Sequence, residues 1–245
     1  MKHVIDKVKR DSRLWTFWKC SNVMAIDRLG YTDHGPTHVK IVANSALKLL
    51  RILASKEVVP SIVKDYGMKN EDAEVVVVLS SILHDLGIVF IRDRHELYSA
   101  LLALEFIEKY LQPIYSEEER TIICSEVLHG IVSHEDPNKP LTIEAGIVRI
   151  ADALDMEEGR ARIPFQAGKV DIHSVSALSI EKVEIQEGDE KPVTIRITMS
   201  NSAGIFQIDE LLKPRIENSG IQSYIHVVAE ITGEKERRII ERFEI

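Results

Sequence analysis

The chain has 245 residues, 44% of them apolar and 29% charged, which is enough to bury a substantial core in one large domain or in a core domain with a smaller companion. No apolar run approaches the roughly 18–20 residues of a bilayer-spanning helix. The amino terminus, Met1-Lys2-His3-Val4-Ile5-Asp6-Lys7, turns charged before an apolar stretch builds up, so a cytoplasmic protein is expected. With 31 basic against 39 acidic residues the formal charge is −8 and no basic tract stands out, which argues against a broad nucleic-acid surface and for small ligands or protein partners.

In chain order, an aromatic group comes first: Trp15, Phe17 and Trp18 are expected to pack between an amino-terminal helix and the rest, with a base-stacking wall as the alternative. The apolar positions Val39, Val42, Ala43, Ala46, Leu47, Leu49 and Leu50 keep a helical period, and Pro36 suits a first turn, so one helix is predicted from Thr37 to Arg51. Glu71-Asp72-Ala73-Glu74 puts acid at the start of a second, running through four valines to Leu86, where Gly87 is expected to stop it. Further helices are predicted from His95 to Tyr110, from Ser116 with Glu119 as a capping box to His134, and from Thr142 to Glu158. Cys20 and Cys124 belong to no C-x-x-C pair and read as small core residues.

Past Gly168 the period changes. Val193, Ile195, Ile197 and Met199 alternate with polar residues, the stretch from Ile180 to Gln186 alternates less cleanly, and Gly188 to Pro192 between them reads as a hairpin turn. A helix over Ile208–Glu217 and two strands around Thr232-Gly233-Glu234 complete a small α+β unit. The predicted fold is thus mainly α over residues 1–165, with a smaller α+β domain over residues 166–245 that docks or forms a homodimer because so small a sheet must cover an apolar face.

Seven of the nine histidines fall in the first 134 residues. His84-Asp85 stands at a predicted helix end, where a local distortion lets two adjacent side chains, otherwise about 100° apart, reach one centre. A lone His-Asp pair is usually a helix-end histidine beside a solvated acid. The company changes that reading: His38 opens an earlier buried helix, and Asp152 interrupts the apolar segment from Ile147 to Leu154, where an ionised carboxylate is costly without a cation or strong hydrogen bonds.

His38 with Val42, Ala43 and Ala46, then His84-Asp85-Leu86-Gly87, then Arg149-Ile150-Ala151-Asp152-Ala153-Leu154-Asp155 resembles, in order and spacing, the HD superfamily of metal-dependent phosphohydrolases. The resemblance covers roughly residues 30–162. It implies an all-helical bundle in which His38, His84, Asp85 and Asp152 bind a divalent metal, with Asp85 as the catalytic bridging ligand or water-orienting group. Two imidazoles and two carboxylates suit Mn, Fe, Zn, Co or Ni, with Mg also admitted. His95, His129 and His134 are expected to complete a second metal site, so one or two ions are anticipated; taken singly, each is more often a helix-end histidine.

Phosphate handles are sought among the arginines near these residues, because a guanidinium offers a bidentate fork. Arg149, Arg160 and Arg162 flank Asp152, Arg92 and Arg94 follow the His-Asp pair, and His34 is a pocket-edge candidate. Arg160 is the first choice and is given a catalytic role. Ile88 stands where the branch that cleaves cyclic dinucleotides commonly has lysine, and the glycine-tyrosine-proline segment of that branch is absent, which argues against that specificity. The expected function is hydrolysis of a nucleotide or other small phosphate ester by metal-activated water. A di-iron oxygenase and a catalytically silent nucleotide-sensing module are the competing readings.

Overall fold

The structure, a computed structural model, describes residues 1–157 and 176–232, and the backbone of 242–244. The expected boundary near residue 165, Arg160, Arg162 and most of the last predicted strand lie outside the described residues.

Among the described residues, eight α-helices, α1 (Lys2–Arg10), α2 (Ser12–Asn22), α3 (Pro36–Ser55), α4 (Ser61–Tyr66), α5 (Asn70–Leu83), α6 (His95–Leu111), α7 (Glu117–Ser133) and α8 (Ile143–Ala153), precede the sheet. The four-valine run is helical, as its length and flanks predict: α5 buries Val75, Val76, Val77, Val78, Leu79, Ile82 and Leu83 and packs on α3, α7 and α8, so it is covered on every side. At roughly 1.5–3 kcal/mol per buried aliphatic side chain, this helix is the main apolar anchor of the bundle. Its contact with α7 is close: a Cβ on Gly130 would lie 2.6 Å from Ser80 Oγ. The Ser116 and Glu119 capping box forms with both bonds at the start of α7, and the Asp11 carboxylate accepts from the Arg13 and Leu14 amides to start α2. No helix among the described residues is long and apolar enough to cross a membrane.

Two expectations need correction. The last bundle helix ends at Ala153 rather than Glu158, because Asp155 turns inward and bonds His38. Cys20 is not a core residue, since α2 buries Leu14, Trp18 and Ser21 on one face and leaves it exposed on the other, whereas Cys124 is half-buried and packs against the core. The aromatic group does pack inward, with Trp18 buried and its indole N–H donating to the Ile82 carbonyl at 2.9 Å.

The sheet holds β1 (Ile180–Glu187), β2 (Val193–Met199), β3 (Ile225–Ile231) and β4 (Arg242–Glu244) in that order. β1 and β2 form the expected hairpin, pairing Ile185 with Ile195. β3 runs parallel to β2, with Ile195 opposite Val227, and β4 is antiparallel to β3. A parallel pair needs a crossover, supplied here by the turns around Ser202–Leu212 and by a short helix, α9 (Lys213–Glu217), with Ile208, Leu212 and Ile216 buried at helical spacing. β1 packs against α3 and α9 against α8, so one continuous cluster of buried side chains joins sheet and bundle.

Candidate metal centre

α5 ends at Leu83, and the chain then leaves helical geometry: Asp85 has φ −102° and ψ 5° before the single 3-10 turn Leu86–Val89. That break aims His84 and Asp85 at the same point. Gly87 serves it differently from the expected helix stop: its φ is not positive, and a Cβ there would lie 2.1 Å from the His95 carbonyl oxygen and 2.6 Å from the Ser99 nitrogen. Only glycine lets the first turn of α6 press onto the turn carrying the His-Asp pair, and this brings His95 in. His38 enters from the first turn of α3, Asp152 from the last turn of α8, and His134 from the C-cap of α7.

The ring nitrogens converge on the two carboxylates. His38 Nε2 lies 3.3 Å from His84 Nε2, 3.2 Å from Asp85 Oδ2 and 3.2 Å from Asp152 Oδ1, while His84 Nε2 is 3.2 and 3.5 Å from the same two oxygens. On the other side of Asp85, its Oδ1 is 3.0 Å from His95 Nε2, which is 3.2 Å from His134 Nε2. All four imidazoles are essentially inaccessible to solvent; the Asp152 side chain, 16% exposed, marks the open side.

The other ring nitrogens decide what these Nε2 atoms can do. His38 Nδ1 donates to Asp155 Oδ2 at 2.6 Å, His84 Nδ1 to the Ser81 carbonyl at 2.7 Å, and His134 Nδ1 to the Ile131 carbonyl at 2.6 Å. With a proton on Nδ1, each Nε2 is the nitrogen turned to the cluster, able to bind a cation in place of a proton of its own. His95 Nδ1 lies 3.0 Å from the Arg92 carbonyl and 2.9 Å from the Arg92 guanidinium, so it donates to the one or accepts from the other. Asp85 Oδ2 is buried and has no hydrogen-bond partner. Ring nitrogens about 3.3 Å apart beside two buried carboxylates are held together only when a proton or a metal cation lies among them.

Charge tells the same story. Burial opposes charging of His84, yet the adjacent Asp85 and Asp152 raise it to about 10. Burial likewise works against ionised Asp85 and Asp152, but the surrounding imidazoles hold both well below the usual carboxylate range. His134 is pushed down to about 3 by burial and then by His84 and His95. The site keeps both carboxylates ionised and calls for positive charge at its centre.

The donor set fits a divalent metal. Bonds of about 2.1 Å give ligand-to-ligand edges of about 3.0 Å in an octahedron and 3.4 Å in a tetrahedron, the range the first group shows. Among the described residues, three groups have ligand atoms within 4.8 Å of one another: His38, His84 and Asp152; His84, Asp85 and His134; and His95, His134 and Glu135.

Not every expected residue is here. His129 is five residues before His134, about 140° round α7, and its Nε2 accepts from the Leu141 amide at 2.9 Å instead. Arg149, expected at the phosphate, is fully buried and bonds the Ser133 and Asn138 carbonyls and the Asp136 carboxylate, pinning the loop after α7. His34 stands beside the cluster, its ring 5.4 Å from that of His38 and its Nδ1 2.8 Å from the Thr32 carbonyl. Asp155, Glu135 and Arg215 were not foreseen as parts of the site.

Comparison with known proteins agrees with this geometry. The uncharacterized protein MJ1020 of Methanocaldococcus jannaschii is 49% identical over 244 residues, covering 100% of this chain and 93% of its own length. Residues 37–157, which carry His38, His84, Asp85, His95, His134 and Asp152, match the HD domain family, so the chain belongs to the HD-domain superfamily of metal-dependent phosphohydrolases.

Proposed function

We propose that the chain hydrolyses a phosphate ester, either a nucleotide or another small phosphorylated molecule. The observation supporting this is the meeting of imidazole Nε2 atoms and ionised carboxylates around Asp85, whose two oxygens face two separate groups of donors. His38, His84, Asp85 Oδ2 and Asp152 would hold one divalent ion, and Asp85 Oδ1, His95 and His134 a second. Bound there, such ions lower the pKa of a water toward neutrality and offset charge on a phosphoryl oxygen.

The remaining work belongs to the protein. Asp155 and the Ser81 and Ile131 carbonyls hold three imidazoles by Nδ1 in one orientation, so the site needs little reorganisation when substrate arrives. The packed side of the cluster keeps water away from the histidines, while Asp152 leaves one side open for substrate.

The test is metal analysis of freshly purified protein followed by a panel of phosphate monoesters and diesters assayed with that metal. Turnover should appear in the wild type and fall at least about a hundredfold in Asp85→Ala, whose helical circular dichroism should stay nearly intact, since a lost ligand affects the metal before the bundle. An Asp85→Ala protein with full metal content and full turnover would remove the basis of the proposal. Iron-coloured protein that consumes oxygen would favour the oxygenase reading, and metal binding without turnover of any ester the sensing module.

A further inference from the structure

Arg149 is committed to the framework, yet two other arginines meet at the open side of the cluster. Arg215, on α9, donates from Nη1 to the His134 carbonyl and from Nη2 to Glu135 Oε2 at 2.8 Å. Arg92, from the loop before α6, has Nη2 at 3.7 Å from the other oxygen of the same carboxylate. Glu135 Oε2 in turn lies 3.9 Å from His134 Nε2. One carboxylate is therefore shared by two guanidinium groups at the edge of the centre.

We infer that Arg92 and Arg215 form a clamp for the phosphoryl oxygens of the substrate, with the Glu135 carboxylate filling the clamp until that phosphoryl group displaces it. The inference rests on the phosphohydrolase reading and names its phosphate-binding residues. Three observations carry it. A carboxylate and a phosphate present similar paired oxygens to a guanidinium fork, so the position of Glu135 marks where an anion fits. Two guanidinium groups bear on that one carboxylate, so a phosphoryl group in its place would meet donors from both. The Glu135, Arg215 and Arg92 side chains are 25%, 19% and 36% exposed, so an exchange of anions opens none of the core. Burial works against the charged form of Arg215, but the nearby charges of Glu135 first, and then of Asp152 and Asp136, outweigh it and favour that form.

Calorimetric titration of the full-length, metal-loaded protein with inorganic phosphate tests this, with metal content per chain measured alongside and KM and kcat determined on an ester from the panel. Arg215→Gln should weaken phosphate binding about tenfold or more, the order expected for losing a charge-assisted bond, and should raise KM more than it lowers kcat at unchanged metal content. Arg215→Lys should restore part of the loss. Glu135→Gln, which keeps both arginines and removes the competing charge, should bind phosphate more tightly and keep its metal. Wild-type phosphate affinity in Arg215→Gln, or loss of one ion per chain in Glu135→Gln, overturns the clamp and makes Glu135 a ligand or a spectator. A wild type that turns over esters beside an unaffected Arg215→Gln overturns the clamp alone; one that neither binds phosphate nor turns over any ester overturns the hydrolase reading and the clamp with it.

Discussion

Asp155 shows how much of the centre depends on a carboxylate that stands behind a ring nitrogen, bonding His38 Nδ1 on the side away from the other donors. Its carboxylate accepts from His38 Nδ1 at 2.6 Å, and replacing it takes that acceptor away and loosens the hold on the ring. Asp155→Ala should therefore weaken metal binding about 10- to 100-fold while the protein stays folded, read by calorimetric metal titration beside circular dichroism; unchanged affinity would show that packing alone orients His38. The ordered positions of His38, His84, Asp85 and Asp152 made the first donor group legible from sequence, and His95 and His134 followed as histidines at predicted helix ends. Asp155, Glu135 and Arg215 escaped because their roles rest on contacts across 117 and 80 positions, which no local pattern reports. Conversely, His129 was grouped with His134 by nearness in sequence, and the helical angle between them sets it apart.

At the level of elements, apolar periodicity found α3, α5, α6, α7 and α8, each of which buries one face or, for α5, all of them, but not the six-residue α4 or the division of the amino-terminal helix into α1 and α2. It could not reveal the irregular pieces, the π-helical turns Val23–Arg28 and Ile208–Leu212 and the 3-10 turn Leu86–Val89, because these arise from tertiary contacts rather than from period. Gly87 is the instructive case. Sequence marks it as a helix stop, whereas its missing side chain is what allows α6 to approach the His-Asp turn. Gly87→Ala should force that contact apart, cost about 1–3 kcal/mol of stability as overpacking does, and withdraw His95 from Asp85. Thermal unfolding and metal analysis together should show a lowered midpoint and a reduced second-site occupancy; a variant with wild-type values in both would mean that the turn yields without moving α6.

For the molecule as a whole, the alternating residues of β1 and β2 announced a hairpin, but nothing in the alternation of β3 indicated that it would lie parallel to β2. That arrangement has a consequence for the site. The crossover it requires runs back over α8 and sets α9, with Arg215, at the end of α7, so the part of the chain beyond the HD match reaches the centre held by the bundle. The central claim is that the six converging residues are a metal centre in two halves joined by Asp85. Anomalous X-ray diffraction from crystals grown with Mn²⁺ measures this directly. Two peaks are expected about 3.5–4 Å apart, one among His38, His84, Asp85 and Asp152 and the other among Asp85, His95 and His134, whereas density without any peak inside the cluster at saturating metal would contradict it.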